Sequence, residues 1–318
     1  MIVTPAPRGS THGNRTTAVR WGAILRSLGA RVAVRERWDG ERCDLLVALH
    51  AHRSAASVAR FRRAHPGRPI VVGLAGTDVY PSLRRSRTAL RTVAAAERIV
   101  VLQPLALGQI PAAHRPRARV IHQSVAPIRR RPTAANAFDV CVLAHLRAVK
   151  DPFRAALAAR LLPATSRIRV LHAGRALTPE MAACAATEVA RNPRYRFVGE
   201  LPRGGALRLL ATARLLVLSS RHEGGANVVS EALAAGVPIL ASRIPGNMGL
   251  LGAGYPGYFR TGDTRALARL LARAESEPGF LARLTEACRA RGALVSPARE
   301  RRAWRALLSE LPNLHRQD

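Results

Sequence analysis

Two glycines and two glutamates lie close together in a stretch that runs from Glu223 to Glu231. Gly224 and Gly225 follow an apolar run, Leu215–Ser219, which predicts a buried strand. Ligands of open α/β sheets bind at the carboxyl ends of strands. Because glycine carries no side chain, the backbone there can approach a ligand closely. The sequence therefore predicts a ligand-binding loop after this strand.

A helix predicted at Val228–Ala235 supplies the second part of this site. The residues Ala226–Val229 would present the N–H groups of a helix N-terminus, which suit a phosphate. Glu231 lies about one turn into the helix, where a ribose diol can donate hydrogen bonds to its carboxylate. Glu223 precedes the glycines, near where a sugar on a diphosphate would lie. These positions predict a nucleotide-sugar site, and an ordinary strand–helix turn with two exposed glutamates is the alternative.

The string from Glu223 to Pro238 resembles E-G-x6-E-A-x-A-x-G-x-P, the signature of the retaining glycosyltransferases of family 4. Those enzymes have the GT-B architecture, an α/β fold of two Rossmann-like doubly wound domains that face a central cleft. In that family the first glutamate lies by the donor sugar and the second holds the ribose. The amides between the two glutamates hold the diphosphate. The resemblance implies the same fold and the same roles here.

A second motif of that family, G-R-L-x-x-x-K, is similar to Ala144–Lys150. Lys150 matches the motif's lysine and is the only lysine in the chain. His145 stands where the family has arginine, and Arg147 is expected to replace that cation. The resemblance thus implies catalytic roles for Lys150, Glu223 and Arg147. The implied donor-binding residues are His145, Lys150, Glu223, Gly224, Gly225, Ala226, Asn227, Val228 and Glu231.

Further strings are similar to the selenosugar synthases of selenoneine biosynthesis (SenB). They are His50–Ser57, Gly76–Tyr80, Val120–Ser124, Ala241–Gly252 and Gly254–Phe259. This resemblance implies that a hexose, N-acetylglucosamine in the first place, moves from a UDP-sugar to selenophosphate to form a 1-seleno-sugar. The UDP-sugar would be a co-substrate, and neither a cofactor nor a metal is expected. Two alternatives stay open: a family 4-type glycosyltransferase with another acceptor, and a UDP-sugar 2-epimerase.

The N-terminal half carries the candidates for acceptor binding. A loop with glycines follows the first predicted strand, Ile2–Val3, and its amides and flanking cations suit a small anion. The polar groups at His50–Arg53 and Gly76–Asp78 follow other predicted strands. The predicted acceptor-binding residues are Gly9, Gly13, Asn14, Arg15, His50, Arg53, Thr77 and Asp78. An incidental surface position is an equal alternative for each. No third ligand accompanies the histidines, so no metal site is predicted.

Short apolar runs and helical stretches alternate twice along the chain, which predicts two parallel sheets built from βαβ units. A stretch rich in proline and arginine separates the two series. We predict an N-terminal acceptor-side domain at 1–125, a linker at 126–137 and a UDP-sugar-binding domain at 138–292. A C-terminal helix and tail are predicted at 293–318.

The net charge of +31, from 51 Lys+Arg against 20 Asp+Glu, invites a nucleic-acid partner. The arginines are spread along the whole chain and aromatic residues make up only 4%, so no specific nucleic-acid site is predicted. No apolar run approaches the ~20 residues of a membrane span. The four cysteines form no C-x-x-C pair and no signal-peptide pattern is present, which predicts a cytoplasmic protein. The sequence does not indicate an oligomeric state.

Overall fold

The computed structural model describes residues 1–10, 12–76, 78–80, 83–133 and 136–312. The chain forms two compact units. The first contains Met1–Ser124, Glu223–Asn227 and Pro297–Asp318, and the second contains Val125–His222 and Val228–Ser296. Each unit has a parallel six-stranded sheet with helices packed on it, so the predicted pair of α/β domains is confirmed. Nowhere in these described ranges does a helix have the length and apolarity needed to cross a bilayer.

The first sheet has the strand order β2-β1-β3-β4-β5-β6. Its strands are β1 (Ile2–Val3), β2 (Val34–Arg35), β3 (Leu46–Leu49), β4 (Ile70–Leu74), β5 (Arg98–Val101) and β6 (Ala118–Val120). The helices of this unit are α1 (Gly13–Ser27), α2 (Ala55–Ala64), α3 (Arg87–Ala94) and, from the far end of the chain, α11 (Pro297–Ser309). Short 3-10 turns lie at Leu83–Arg85, Pro104–Gln109 and Ala112–Arg117.

Apolar clusters lie on both faces of this sheet, which is why β3 and β4 are apolar throughout and fully buried. One cluster includes Val58 and Phe61 of α2, and the other includes Trp21 of α1 and Trp304 of α11. The two tryptophan rings pack edge to face with centroids 4.8 Å apart. The C-terminal helix therefore completes the core of the first unit.

The second sheet has the order β12-β11-β10-β7-β8-β9. Its strands are β7 (Phe138–Leu143), β8 (Ile168–Ala173), β9 (Tyr195–Gly199), β10 (Leu215–Leu218), β11 (Ile239–Ser242) and β12 (Tyr258–Phe259). The helices are α4 (Arg154–Ala159), α5 (Pro179–Arg191), α6 (Arg203–Thr212), α7 (Asn227–Ala235), α8 (Pro245–Leu251), α9 (Thr264–Ser276) and α10 (Pro278–Arg291). Short 3-10 turns lie at Ala148–Lys150 and Gly292–Val295.

Each sheet reverses its direction of winding once, and the reversal marks the edge where a ligand crevice forms. In the first sheet the reversal falls between β1 and β3, and in the second it falls between β7 and β10. The chain that leaves β1 and β3 carries most of the predicted acceptor residues, and Asp78 follows the neighbouring strand β4. The chain that leaves β7 and β10 carries the predicted donor residues. The topology thus brings both predicted sets to the positions that favour ligands.

Two stretches differ from their predicted form. Gly13, Asn14 and Arg15 were expected in or directly after a loop, and they form the first turn of α1. The stretch 126–137, expected as a linker, is hydrogen-bonded to the second unit as far as it is described. There Ile128 N donates to Ala234 O at 3.3 Å, and Arg131 N donates to Ala211 O at 3.1 Å.

Candidate active site

The backbone at Lys150 is fixed by hydrogen bonds to residues that follow β10. The single hydroxyl proton of Ser219 is shared between the carbonyl oxygens of Lys150, at 3.1 Å, and of Asp151, at 2.8 Å, in a bifurcated hydrogen bond. Arg221 N donates to Val149 O at 2.8 Å. The 3-10 turn Ala148–Lys150 follows β7, and these bonds join it to the residues that follow the neighbouring strand β10. The backbone that carries the half-exposed Lys150 side chain is therefore fixed.

His145 and Arg147, the two other cations predicted for the diphosphate, differ in how firmly they are held. His145 is half-buried, and its Nδ1 accepts a hydrogen bond from Arg175 N at 3.0 Å. A neutral ring bonded in this way carries its proton on Nε2, which makes that nitrogen a donor. Arg147 is exposed. Of the two, His145 has the fixed orientation that a binding residue needs.

The carbonyl oxygen of Ala144, at the start of the segment Ala144–Lys150, accepts a hydrogen bond from a buried histidine. His172, fully buried on β8, donates from Nε2 to Ala144 O at 2.9 Å, and its Nδ1 accepts from the Tyr195 hydroxyl at 2.9 Å. Burial lowers the pKa of His172 to about 4, so the ring is neutral at neutral pH. A Cβ on Gly174 would lie 2.0 Å from Ala144 O, so only glycine permits this close approach.

Glu231, the predicted ribose ligand, is paired with an arginine from α6. Arg203 Nη1 lies 3.3 Å from Glu231 Oε1, and only 13% of the glutamate side chain is exposed against 55% of the arginine. Besides this contact, a carboxylate has further lone pairs for two hydroxyl groups. Glu231 is therefore oriented before any ligand arrives.

Gly224 and Gly225 are required by packing within the first unit. A Cβ on Gly224 would lie 2.9 Å from Gly76 O, and a Cβ on Gly225 would lie 2.6 Å from Leu102 Cβ. Gln123 Nε2 donates to Gly225 O at 2.7 Å. The sequence predicts that these glycines let the backbone approach a ligand closely. In the structure they are needed because neighbouring backbone and side-chain atoms lie too close for a Cβ.

The predicted acceptor residues His50 and Asp78 meet at the carboxyl ends of β3 and β4. Asp78 is buried, and its carboxylate accepts from Gly76 N at 2.9 Å and from Ala51 N at 3.0 Å. Arg53 N donates to His50 Nδ1 at 3.3 Å, which places the proton of the neutral ring on Nε2. Burial lowers the pKa of His50, and the Asp78 charge opposes that shift.

His50 is also one of two non-glycine residues with a left-handed backbone among the described residues, with φ at +74°. A side chain in this region costs of order 1 kcal/mol or more, and such strain clusters at ligand sites. Asn14 joins this group, because its Oδ1 lies 3.6 Å from where a Cβ on Gly76 would stand. The strain and the convergence of three strand ends mark this edge as a candidate anion site.

Two other predicted acceptor residues, Gly9 and Arg53, are exposed. Gly9 is exposed in the turn before α1, with φ at +80°. The Arg53 side chain lines an open groove of about 580 Å³ on the outer face of α2, together with Arg60 and Arg63. Thr77 lies outside the described residues. Across those residues no three His, Cys, Asp or Glu side chains gather as a metal site requires.

The chain matches the model of the family described as glycosyl transferases group 1 over residues 127–291, just over half of its length. It is a group 1 glycosyltransferase. The matched region contains both Lys150 and the stretch from Glu223 to Glu231, so the two donor motifs lie within the part that defines the family. No curated protein matches the chain.

Solved structures share the fold of this glycosyltransferase over nearly its whole length. Anabaena HepE, solved in complex with UDP, is 17% identical with a TM-score of 0.73, and the match covers 98% of this chain and 86% of that one. A glycosyltransferase from Rickettsia africae ESF-5 is 13% identical with a TM-score of 0.75, covering 98% of each chain. Sucrose-phosphate synthase from Thermosynechococcus elongatus is 18% identical with a TM-score of 0.67, covering 96% and 80%. The predicted GT-B fold is confirmed.

Three residues of this glycosyltransferase that support the site had no signal in the sequence. Arg203 is one of 50 arginines, and nothing in its neighbours connects it with Glu231. His172 sits in an apolar run that predicts only a strand. Gly174 follows the same run as an ordinary strand-ending glycine. Their roles depend on contacts between distant parts of the second unit.

Proposed function

We propose that this glycosyltransferase moves a hexose from a UDP-sugar to selenophosphate, as a selenosugar synthase of selenoneine biosynthesis, with N-acetylglucosamine as the preferred sugar. The observation that carries the donor half is the family match, which includes Lys150 and Glu231. A structural neighbour solved with UDP-glucose is consistent with a UDP-linked donor. The strings similar to the selenosugar synthases support the acceptor half.

The donor half would act mainly on the leaving group. As the bond between the sugar C1 and the diphosphate oxygen breaks, UDP takes the bonding electron pair and its charge grows. Lys150, fixed through its carbonyl, and the Nε2–H of His145 would stabilise that charge. Glu231 would hold the ribose, and Glu223 would lie by the sugar. The chemistry proposed here needs no metal and no cofactor.

The acceptor half would hold a small anion at the ends of β1, β3 and β4. The N-terminus of α1 and the Nε2–H of His50 would bind the oxygens of selenophosphate. The selenium of selenophosphate is already anionic, so attack on C1 needs no general base. His50, with its lowered pKa, suits this work because a neutral ring donates one hydrogen bond in a fixed direction.

The cytoplasm is the proposed location, and the four unpaired cysteines suit a reducing compartment. The proposed partners are the UDP-sugar and selenophosphate alone, with no specific nucleic acid. A titration with random duplex DNA at ~0.15 M salt tests the second point, because a purely electrostatic binder loses most of its affinity there.

Product analysis tests the function directly. The protein is incubated with UDP-N-acetylglucosamine, UDP-glucose and UDP-galactose in turn, each with selenophosphate, and the mixture is analysed by mass spectrometry. The expected result is free UDP with a sugar that carries the isotope pattern of selenium. Matched reactions contain inorganic phosphate in place of selenophosphate, or the Lys150→Ala variant.

Each contrary outcome identifies an alternative. Conversion of the UDP-sugar without selenophosphate would indicate an epimerase and overturn the proposal. UDP release with other acceptors but not with selenophosphate would leave the family assignment standing and refute the selenium chemistry.

A further inference from the structure

The loop Glu223–Asn227 is held in place by an arginine of α1. Arg20 Nη1 donates to Asn227 Oδ1 at 3.1 Å, and Arg20 Nη2 donates to Gln123 Oε1 at 2.6 Å. All these residues belong to the first unit. Only 16% of the Arg20 side chain is exposed, so its charge is largely removed from water. A guanidinium that bridges two amide oxygens in this way fixes both side chains.

Gln123 connects Arg20 to the backbone of the loop Glu223–Asn227 through hydrogen bonds. Its Oε1 accepts from Arg20 and lies 3.0 Å from Thr17 Oγ1. Because a guanidinium can only donate, the bond from Arg20 defines which end of the amide is oxygen. The other end is therefore the donor, and it bonds Gly225 O at 2.7 Å. Gly225 is thus held on one side by this amide and on the other by its contact with Leu102.

A buried carboxylate of α11 holds Arg20 itself. The Glu300 side chain is 0% exposed and accepts from Arg20 Nε at 3.1 Å. It also accepts from Trp21 Nε1 at 3.0 Å and from Ser124 N at 2.7 Å. A buried carboxylate that accepts from three different donors restricts the arginine to one orientation.

We propose that Arg20 is a positioning residue for the donor loop. Clamped by Glu300, it fixes Asn227 at the first position of α7 and, through Gln123, the carbonyl of Gly225. The backbone amides of the loop Glu223–Asn227 would then meet the donor diphosphate without reorganisation on binding, which preserves affinity. This role rests on the proposed UDP-sugar site. Arg20 itself would not touch the donor.

Calorimetry with UDP and steady-state kinetics with the UDP-sugar test this role in the full chain. Arg20→Lys keeps the charge but loses the planar fork that reaches three partners. We expect the Kd for UDP and the KM for the UDP-sugar to rise roughly 10-fold, the effect of losing one charge-assisted hydrogen bond, with a smaller change in kcat. Glu300→Gln, of the same shape, should shift KM in the same direction. Arg26→Lys, an exposed arginine on the same helix, is the matched control.

A double-mutant cycle separates positioning from general stability. If Arg20 acts in part through Asn227, adding Arg20→Lys to Asn227→Ala should raise KM by a smaller factor than Arg20→Lys does in the wild type. Additive effects would overturn the proposal, and so would variants that lower the Tm while KM stays at the wild-type value. Should the wild-type chain bind no UDP, the proposed donor and this inference both fail. Should the wild type bind UDP and Arg20→Lys bind it equally, only the positioning role fails.

Discussion

His172 makes the stability of the second unit depend on pH in a defined window. Its pKa is lowered by burial from the ordinary 6.5 to about 4. Between these values the unfolded chain binds a proton that the folded chain excludes, so stability falls as the pH falls. The stabilisation is complete above pH 6.5 and is lost as the pH approaches 4. The difference in pKa corresponds to about 3 kcal/mol at the lower limit.

His172→Gln isolates this contribution, because glutamine can donate to Ala144 O and does not titrate in this range. Unfolding by urea is measured at pH 7.5 and pH 4.5 for both proteins. Wild type should lose about 2–3 kcal/mol more than the variant between the two conditions. His222→Gln, at an exposed position of the same unit, should keep the wild-type dependence. Equal losses in wild type and His172→Gln would refute the role assigned to the buried ring.

Further expectations concern the donor residues and the glycine pair. Glu231→Ala should weaken UDP binding by roughly 10- to 150-fold, measured by calorimetry, because the ribose loses a charged acceptor; an unchanged Kd contradicts this. Lys150→Ala should lower kcat as well as donor affinity, and Lys150→Arg should restore only part of both, because a planar fork does not replace a compact ammonium. Wild-type kcat in both variants would show that the lysine is not involved. Gly225→Ala should cost about 1–3 kcal/mol of unfolding free energy, because its Cβ would meet Leu102 Cβ at 2.6 Å. Gly204→Ala, whose nearest neighbour is the flexible tip of Arg208 at 3.5 Å, should fold normally and serves as the control.

Local sequence pattern was enough for the regular parts of the fold. The strand Leu215–Leu218 and the helix Asn227–Ala235 form within one residue of their predicted ranges, because an apolar run and the apolar period of a helix are local signals. The helix Pro245–Leu251 was not predicted, because a short stretch with two glycines lacks the apolar period of a longer helix. The strand Tyr258–Phe259 has too few residues to show alternation.

The contacts that shape the candidate site could not be predicted, because they join residues far apart in the sequence. Glu300 stands among arginines in a helix that reads as solvated, yet its side chain is fully buried. Gly225 was singled out as a donor-binding residue, but the neighbour that requires a glycine there, Leu102, is distant in sequence. A pattern identifies the residue type that a position needs, and only the packing identifies the neighbour that imposes it.

The place of α11 in the first unit affects the order in which the protein can fold during synthesis. Trp21 leaves the ribosome long before Trp304 and Glu300, its partners in the folded unit. At ordinary rates of translation, ~5–20 residues per second, this interval lasts roughly 15 to 60 seconds. During this interval α11 does not yet cover the face of the first sheet on which α1 packs. The indole N–H of Trp21 also does not yet have the Glu300 carboxylate as its acceptor. The first unit therefore completes its fold only after the second unit has been synthesised.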